Sequence, residues 1–196
     1  MAKNKGFGQA EIFSNTDYSK LYDAINNSTH LLILSLLRYT GERVGAVVQL
    51  GVMDVYRNPF ISEPRQTILY KAYTRKQAGG VVADTHEVPV SRALHNELAR
   101  YKPPKYGYLF PSPRDESRHV TTSNCDKWFR RGLRKAGLNR RGFSLHSPRR
   151  TLATRLSEEG VPLQTIRSIT GHKTLSSLQR YIDVEDRSKK AAVELL

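Results

Sequence analysis

HSPRRTLATRLSEEGVPLQTIRSITGHKTLSSLQRY, residues 146–181, is the stretch from which the rest of the chain can be read. It opens on His146 and Arg149, reaches Gly171-His172 23 residues after that arginine, and ends on Tyr181 nine residues after His172. Far upstream, Thr40-Gly41-Glu42-Arg43 supplies a second arginine. Planar guanidinium groups give paired, charge-assisted hydrogen bonds to phosphate oxygens and stay charged throughout. Histidines move protons or share charge, and a phenol can attack phosphorus once neighbouring charge or a base helps it lose its proton. The set suits transesterification at a phosphodiester, in which a phosphotyrosine keeps the energy of the broken bond.

The charge of the chain points to the matching polyanion. Net charge is +14 and the isoelectric point lies near 10.1, which predicts a nucleic-acid partner before an acidic membrane. Residues 1–54 balance, so the surplus lies beyond them. From Lys127 to Arg155 run Lys127, Arg130, Arg131, Arg134, Lys135, Arg140, Arg141, Arg149, Arg150 and Arg155, with no acidic residue between them. A merely solvated face mixes signs to limit self-repulsion, so Lys127, Arg130, Arg131, Arg134, Arg140, Arg141 and Arg150 are expected to contact DNA.

Other classes are excluded or disfavoured. Cys125 stands alone, so there is no disulfide framework, and no Cys/His cluster has metal spacing. Neither a metal nor another cofactor is expected. The longest apolar run, Leu31 to Leu37, is too short to span a bilayer, and the N-terminus has no signal-peptide core. A cytoplasmic, nucleoid-associated protein with no membrane partner is the expectation.

Organisation follows from apolar spacing and punctuation. Residues 1–17 are rich in Gly, Asn and Ser and read as a flexible N-terminal arm. Leu21, Ile25, Leu32 and Leu36 predict a helix over about 18–38, and a second is expected from Glu42 to Leu50. Asn58-Pro59 marks a turn. Thr67 to Thr74 alternates as a strand, and Val81-Val82 with Glu87 to Val90 makes its partner in a hairpin. Helices are predicted over about 91–101, 122–136, 147–159, 162–169 and 174–182, with a polar loop up to about 121. Ser147-Pro148 is a good helix start. The fold class expected is mainly α with a small antiparallel β-sheet (α+β).

The segment T-G-E-R-V-G-A-V-V-Q-L-G-V-M-D-V at 40–55 resembles the first signature of the tyrosine recombinases, the phage integrase family. H-S-P-R-R with the later G-H-K-T-L-S-S-L-Q-R-Y-I-D-V resembles the second. The resemblance implies the catalytic-domain architecture of that family over about 18–184, followed by a C-terminal tail at 185–196. It implies a site-specific recombinase or integrase that acts on double-stranded DNA without metal or ATP, as a tetramer assembled on DNA. By the same resemblance Arg43 and Arg149 clamp the phosphate and Tyr181 is the nucleophile. His146 is linked to proton transfer at the nucleophile, and His172 to hydrogen bonding with the phosphate. The family also carries a hairpin lysine that protonates the departing oxygen. Lys76 matches best, with Arg75 and Lys71 as competitors, and Arg75 is otherwise a DNA contact.

Three positions depart from the family pattern. Ala46 stands where an acidic residue often steadies the first arginine, so Glu42 or a distant carboxylate must substitute. Arg150 replaces a common histidine and Pro148 a common leucine. About 17 residues precede the first helix, too few for the family's N-terminal DNA-clamping domain. That fits an isolated catalytic domain or a naturally short enzyme. Two other readings compete. A type IB topoisomerase-like strand transferase shares the chemistry, and a DNA-binding regulator would use residues 152–170 as a helix-turn-helix. An RNA-binding module lacks a base-stacking aromatic motif.

Overall fold

A computed structural model describes residues 10–74, 84–172 and 174–179. The architecture is mainly helical with small antiparallel ladders, in the order α1 (Asn15–Asp23), α2 (Ser28–Thr40), α3 (Val44–Val47), α4 (Val52–Val55), β1 (Tyr56–Asn58), β2 (Glu63–Pro64), β3 (Thr67–Tyr70), β4 (His86–Pro89), α5 (Arg92–Arg100), β5 (Pro111–Ser112), β6 (Asp115–His119), α6 (Thr122–Lys135), α7 (Ser147–Glu158), α8 (Leu163–Thr170) and α9 (Leu175–Gln179).

The centre is α2, in which Leu32 to Leu37 are all buried. A helix with so little solvated face must be covered on several sides, and α2 packs against α3, α5 and α7. The predicted single helix over 18–38 is two helices. Asn27 breaks the run by capping α2, its side chain accepting from the His30 amide at 3.0 Å. Such a cap satisfies an orphan N–H and starts a new helix without Gly or Pro as a signal.

The expected arm at 1–17 is also corrected where the structure describes it. Ser14 caps α1, and Phe13 is buried, stacked on Phe143 with ring centroids 4.1 Å apart. One buried aromatic anchors a segment whose composition reads as loose. The predicted helix at 42–50 is the short α3, a turn, and then α4, with Gly51 between them.

β3 and β4 form the expected hairpin, with Ile68 opposite Val88 and Tyr70 opposite His86. The strand stops at Tyr70 rather than Thr74, because Ala72–Thr74 turns into a 3-10 helix. Two further two-stranded ladders, β1–β2 and β5–β6, were not expected. In β6, Asp115 to Arg118 are all exposed, so the alternation that betrays a half-buried strand is missing.

The basic helix α6 is amphipathic. Cys125, Trp128, Phe129, Gly132 and Leu133 face inward, while Lys127, Arg130, Arg131 and Arg134 are exposed at helical spacing. Gly132 allows α1 to approach closely, since a Cβ there would stand 3.0 Å from Leu21 Cδ1 and 3.2 Å from Ile25 Cγ1. A separate small core of Ala153, Ile166 and Leu178 joins α7, α8 and α9. Among the described residues no helix is long and apolar enough to cross a membrane.

Candidate active site

Two helices end alike. Thr40-Gly41 closes α2 and Thr170-Gly171 closes α8, each glycine in the left-handed region at φ 66°. Glycine takes that conformation without the Cβ penalty other residues meet. Gly41 is doubly required, because a Cβ would stand 2.9 Å from Leu152 Cδ2 and 3.2 Å from Thr170 Cγ2. Each threonine donates its hydroxyl to the carbonyl four residues back, Leu36 at 2.7 Å and Ile166 at 2.6 Å. Each also meets the second residue beyond it: Thr40 Oγ1 accepts from the Glu42 amide at 3.2 Å, and Thr170 Oγ1 lies 2.6 Å from His172 Nδ1. The two turns thus deliver Glu42-Arg43 and His172 by the same device.

Arg149 joins them. It stands in the first turn of α7 and is 1% exposed, among the largest fully buried side chains. Its Nη1 donates to the Gly41 carbonyl and, at 2.6 Å, to that of Thr170. The same nitrogen lies 3.9 Å from Glu42 Oε2. Glu42, also 1% exposed by side chain, accepts from the Arg43 amide at 3.0 Å. Of the two substitutes expected for the acidic residue missing at Ala46, Glu42 or a distant carboxylate, Glu42 stands beside both arginines. It steadies the backbone of Arg43 and the charge of Arg149.

The histidines sit in the field of these arginines. His172 is buried, and its pKa is pushed down to about 3 by loss of solvent first, then by Arg149 and Arg43, against an opposing effect of Glu42. Because the Thr170 hydroxyl gives its hydrogen to Ile166, it accepts from His172 Nδ1, which places the proton of the neutral ring on Nδ1. His146 lies at the α7 N-cap position, exposed, and its pKa is lowered by partial loss of solvent and then by Arg43 and Arg149. Arg43, His146, Arg149 and His172 are thereby one electrostatic cluster.

A depressed histidine pKa has a consequence for stability. Unfolded His172 takes up a proton below about pH 6.5, whereas the native ring resists until about pH 3. Stability held above pH 6.5 should fall as pH drops through that window, by on the order of 3 kcal/mol from this residue. Urea unfolding at pH 7 and pH 4 checks it. The parent should lose more between the two than His172→Gln, and equal losses would contradict the assignment.

The remaining candidates divide. Lys76, Arg75 and Tyr181 lie outside the described residues, as does the tail at 185–196. Lys71, the competitor for Lys76, is engaged elsewhere: its Nζ is 3.0 Å from Asp54 Oδ1, and the bond to Asp54 raises its pKa. Lys127, Arg130, Arg131, Arg134, Arg140 and Arg141 are exposed, with Arg130 paired to Asp126 and Arg141 to Asp17. Arg150 departs from the expected DNA-facing role. It is 9% exposed and donates to the Ala10 carbonyl at 2.6 Å, so it fastens residue 10 to α7. Among the described residues no cluster of His, Cys, Asp and Glu could hold a metal.

Spacing alone missed His86 and Thr170. The repeated Thr-Gly dipeptide at 40–41 and 170–171 was a legible signal for Thr170; none existed for His86.

A family model described as the phage integrase family matches residues 11–188. Among curated proteins, the chain is similar to the tyrosine recombinase of Thermosipho africanus (strain TCF52B), 25% identical over 193 residues that cover 95% of this chain and 62% of that protein. It is similar to tyrosine recombinase XerA of Pyrococcus horikoshii (strain ATCC 700860 / DSM 12428 / JCM 9974 / NBRC 100139 / OT-3), 27% identical over 184 residues, 91% of this chain and 58% of that protein. The chain thus spans 58% to 62% of the length of these relatives. The crystal structure of XerA recombinase matches with a TM-score of 0.71 at 22% identity, covering 98% of this chain and 65% of that one. The Tn1549 transposon integrase in complex with transposon right end DNA matches with a TM-score of 0.72 at 16% identity, covering 97% and 67%. At these identities the structural likeness speaks for the fold.

Proposed function

The chain belongs to the phage integrase family, and from that membership we propose that it is the catalytic unit of a site-specific tyrosine recombinase. It cuts and rejoins duplex DNA through a 3′-phosphotyrosine intermediate, without metal or nucleotide. The observation that carries this reading is Arg149 Nη1 bridging the carbonyls of Gly41 and Thr170, which gathers Arg43, His146 and His172 around one guanidinium.

Arg43 and Arg149 receive the scissile phosphate. Its negative charge offsets theirs and restores the basicity that they remove from the histidines. The Tyr181 phenol then attacks phosphorus, and its proton passes to His146. The bond from phosphorus to the 5′ oxygen breaks, and that oxygen takes a proton from Lys76. Extra negative charge on the pentavalent transition state is met by the preorganised arginines, where one such donor is worth about 3 kcal/mol. The reverse sequence, with a 5′ hydroxyl from another strand, rejoins the DNA.

The reaction requires two duplexes, so a tetramer on DNA is the assembly proposed. The site of action is the cytoplasm at the nucleoid. Lys127, Arg130, Arg131 and Arg134 on the exposed face of α6 are the proposed backbone contacts. Arg134→Ala should weaken DNA binding modestly at every sequence and reduce the salt slope by about one. An unchanged slope in a filter-binding titration would remove α6 from the interface.

The function itself is tested with nicked suicide duplexes carrying candidate sites. A denaturant-stable protein–DNA adduct is expected. Tight binding with no adduct would favour a regulator, and relaxation of supercoiled plasmid lacking any site would favour the topoisomerase-like reading.

A further inference from the structure

His86, which lies on β4 and matches none of the recombinase signatures, touches two distant segments at once. Its Nδ1 is 2.9 Å from Glu42 Oε1, on the turn after α2, and its Nε2 is 2.6 Å from the Ser168 carbonyl in the last turn of α8. Its side chain is 11% exposed. Both partners are acceptors: a carbonyl oxygen has no hydrogen to give, and neither has an ionised carboxylate. A neutral imidazole carries one N–H, so one ring nitrogen would face oxygen lone pairs with its own. Only the doubly protonated ring satisfies both contacts.

We propose that His86 is a positioning residue of the site: as an imidazolium it clamps the β3–β4 hairpin to the two turns that carry Arg43 and His172. Moving the proton from Nδ1 to Glu42 would satisfy the same distances, but Glu42 is held as a carboxylate. Its other oxygen accepts from the Arg43 amide at 3.0 Å and lies 3.9 Å from Arg149 Nη1. The remaining neighbours do not compete for the proton. Tyr70 on β3 lies with its ring centroid 6.3 Å from that of His86, and its phenol is kept neutral by burial.

The clamp also finishes α8. Helix-end carbonyls lack intrahelical donors and attract positive charge. Here Arg167 is met by the amides of Gly171 and His172, Ser168 by His86, and Thr170 by Arg149. Two cations from different elements therefore set where α8 ends and His172 begins.

The proposal rests on the recombinase reading for its activity readout but not for its first test. In protein labelled with 15N in histidine, ring-nitrogen correlation spectra at pH 7 should show both His86 nitrogens protonated, and a single-tautomer pattern would overturn the clamp. On a nicked suicide substrate, His86→Gln, whose amide turns an oxygen towards one acceptor, should cut cleavage by about 10- to 100-fold. His86→Arg donates to both acceptors at any pH. It should recover most of that loss. Arginine no better than glutamine would overturn the clamp as well. No adduct from the parent would instead sink the recombinase reading, and the ring spectrum would then decide the clamp alone.

Discussion

Replacing Tyr181 with phenylalanine should abolish the covalent DNA adduct and leave DNA binding near the parental level. The substitution removes one oxygen, and under the proposed mechanism that oxygen is the atom that bonds to phosphorus. The aromatic ring stays, and under the same proposal binding draws on the basic face of α6 rather than on the phenol. A free phenol has a pKa of about 10, so under the proposed mechanism attack depends on the cationic cluster of Arg43 and Arg149 as much as on the tyrosine. The measurement is denaturing electrophoresis of protein mixed with end-labelled suicide substrate, run beside a gel-shift titration. An adduct that persists in Tyr181→Phe would transfer the nucleophile to another residue. Loss of binding together with loss of the adduct would mean that the side chain serves structure.

Arg149→Ala should be the most damaging single change in the described part of the site, because it acts on two properties at once. Cleavage should fall by on the order of 10²-fold or more through loss of a preorganised donor. Stability should fall too, by about 3 kcal/mol or more. The Gly41 and Thr170 carbonyls lose a shared donor, and Glu42 loses a buried opposite charge. Arg149→Lys separates the two effects. An ammonium restores a charge near Glu42, but it cannot reproduce the planar fork. Its melting temperature should lie between those of parent and alanine variant, while its cleavage stays close to that of alanine. Parental cleavage from Arg149→Lys would show that charge alone suffices and would contradict the clamp role.

Helices whose inward faces repeat at helical spacing were legible from the chain, α5 through α8 to within a residue or two. The break between α1 and α2 was not, because Asn27 caps by one hydrogen bond and leaves no mark in the periodicity. The candidates Arg43, His146, Arg149 and His172 could be named from their resemblance to the family's signatures, and Ala46 marked a missing acidic residue whose substitute was left between Glu42 and a distant carboxylate. How they meet could not. The burial of Arg150 depends on where residue 10 lies. The role of His86 depends on the pairing that sets it opposite Tyr70 and on the last turn of α8. Contacts of this kind are decided by three-dimensional register, which no local pattern encodes.

The bridge from Arg149 to Gly41 spans 108 residues of chain, and that from Arg149 to Thr170 only 21. Loop closure over the longer span comes late in folding, since non-local contacts are rewarded only after most of the chain's entropy has been lost. The basic stripe of α6, by contrast, needs only its own helix. Under the proposed function, a chain that has not yet closed these spans would hold DNA by charge before it could break it, because cutting waits for the Arg149 bridge to bring Arg43 and His172 together.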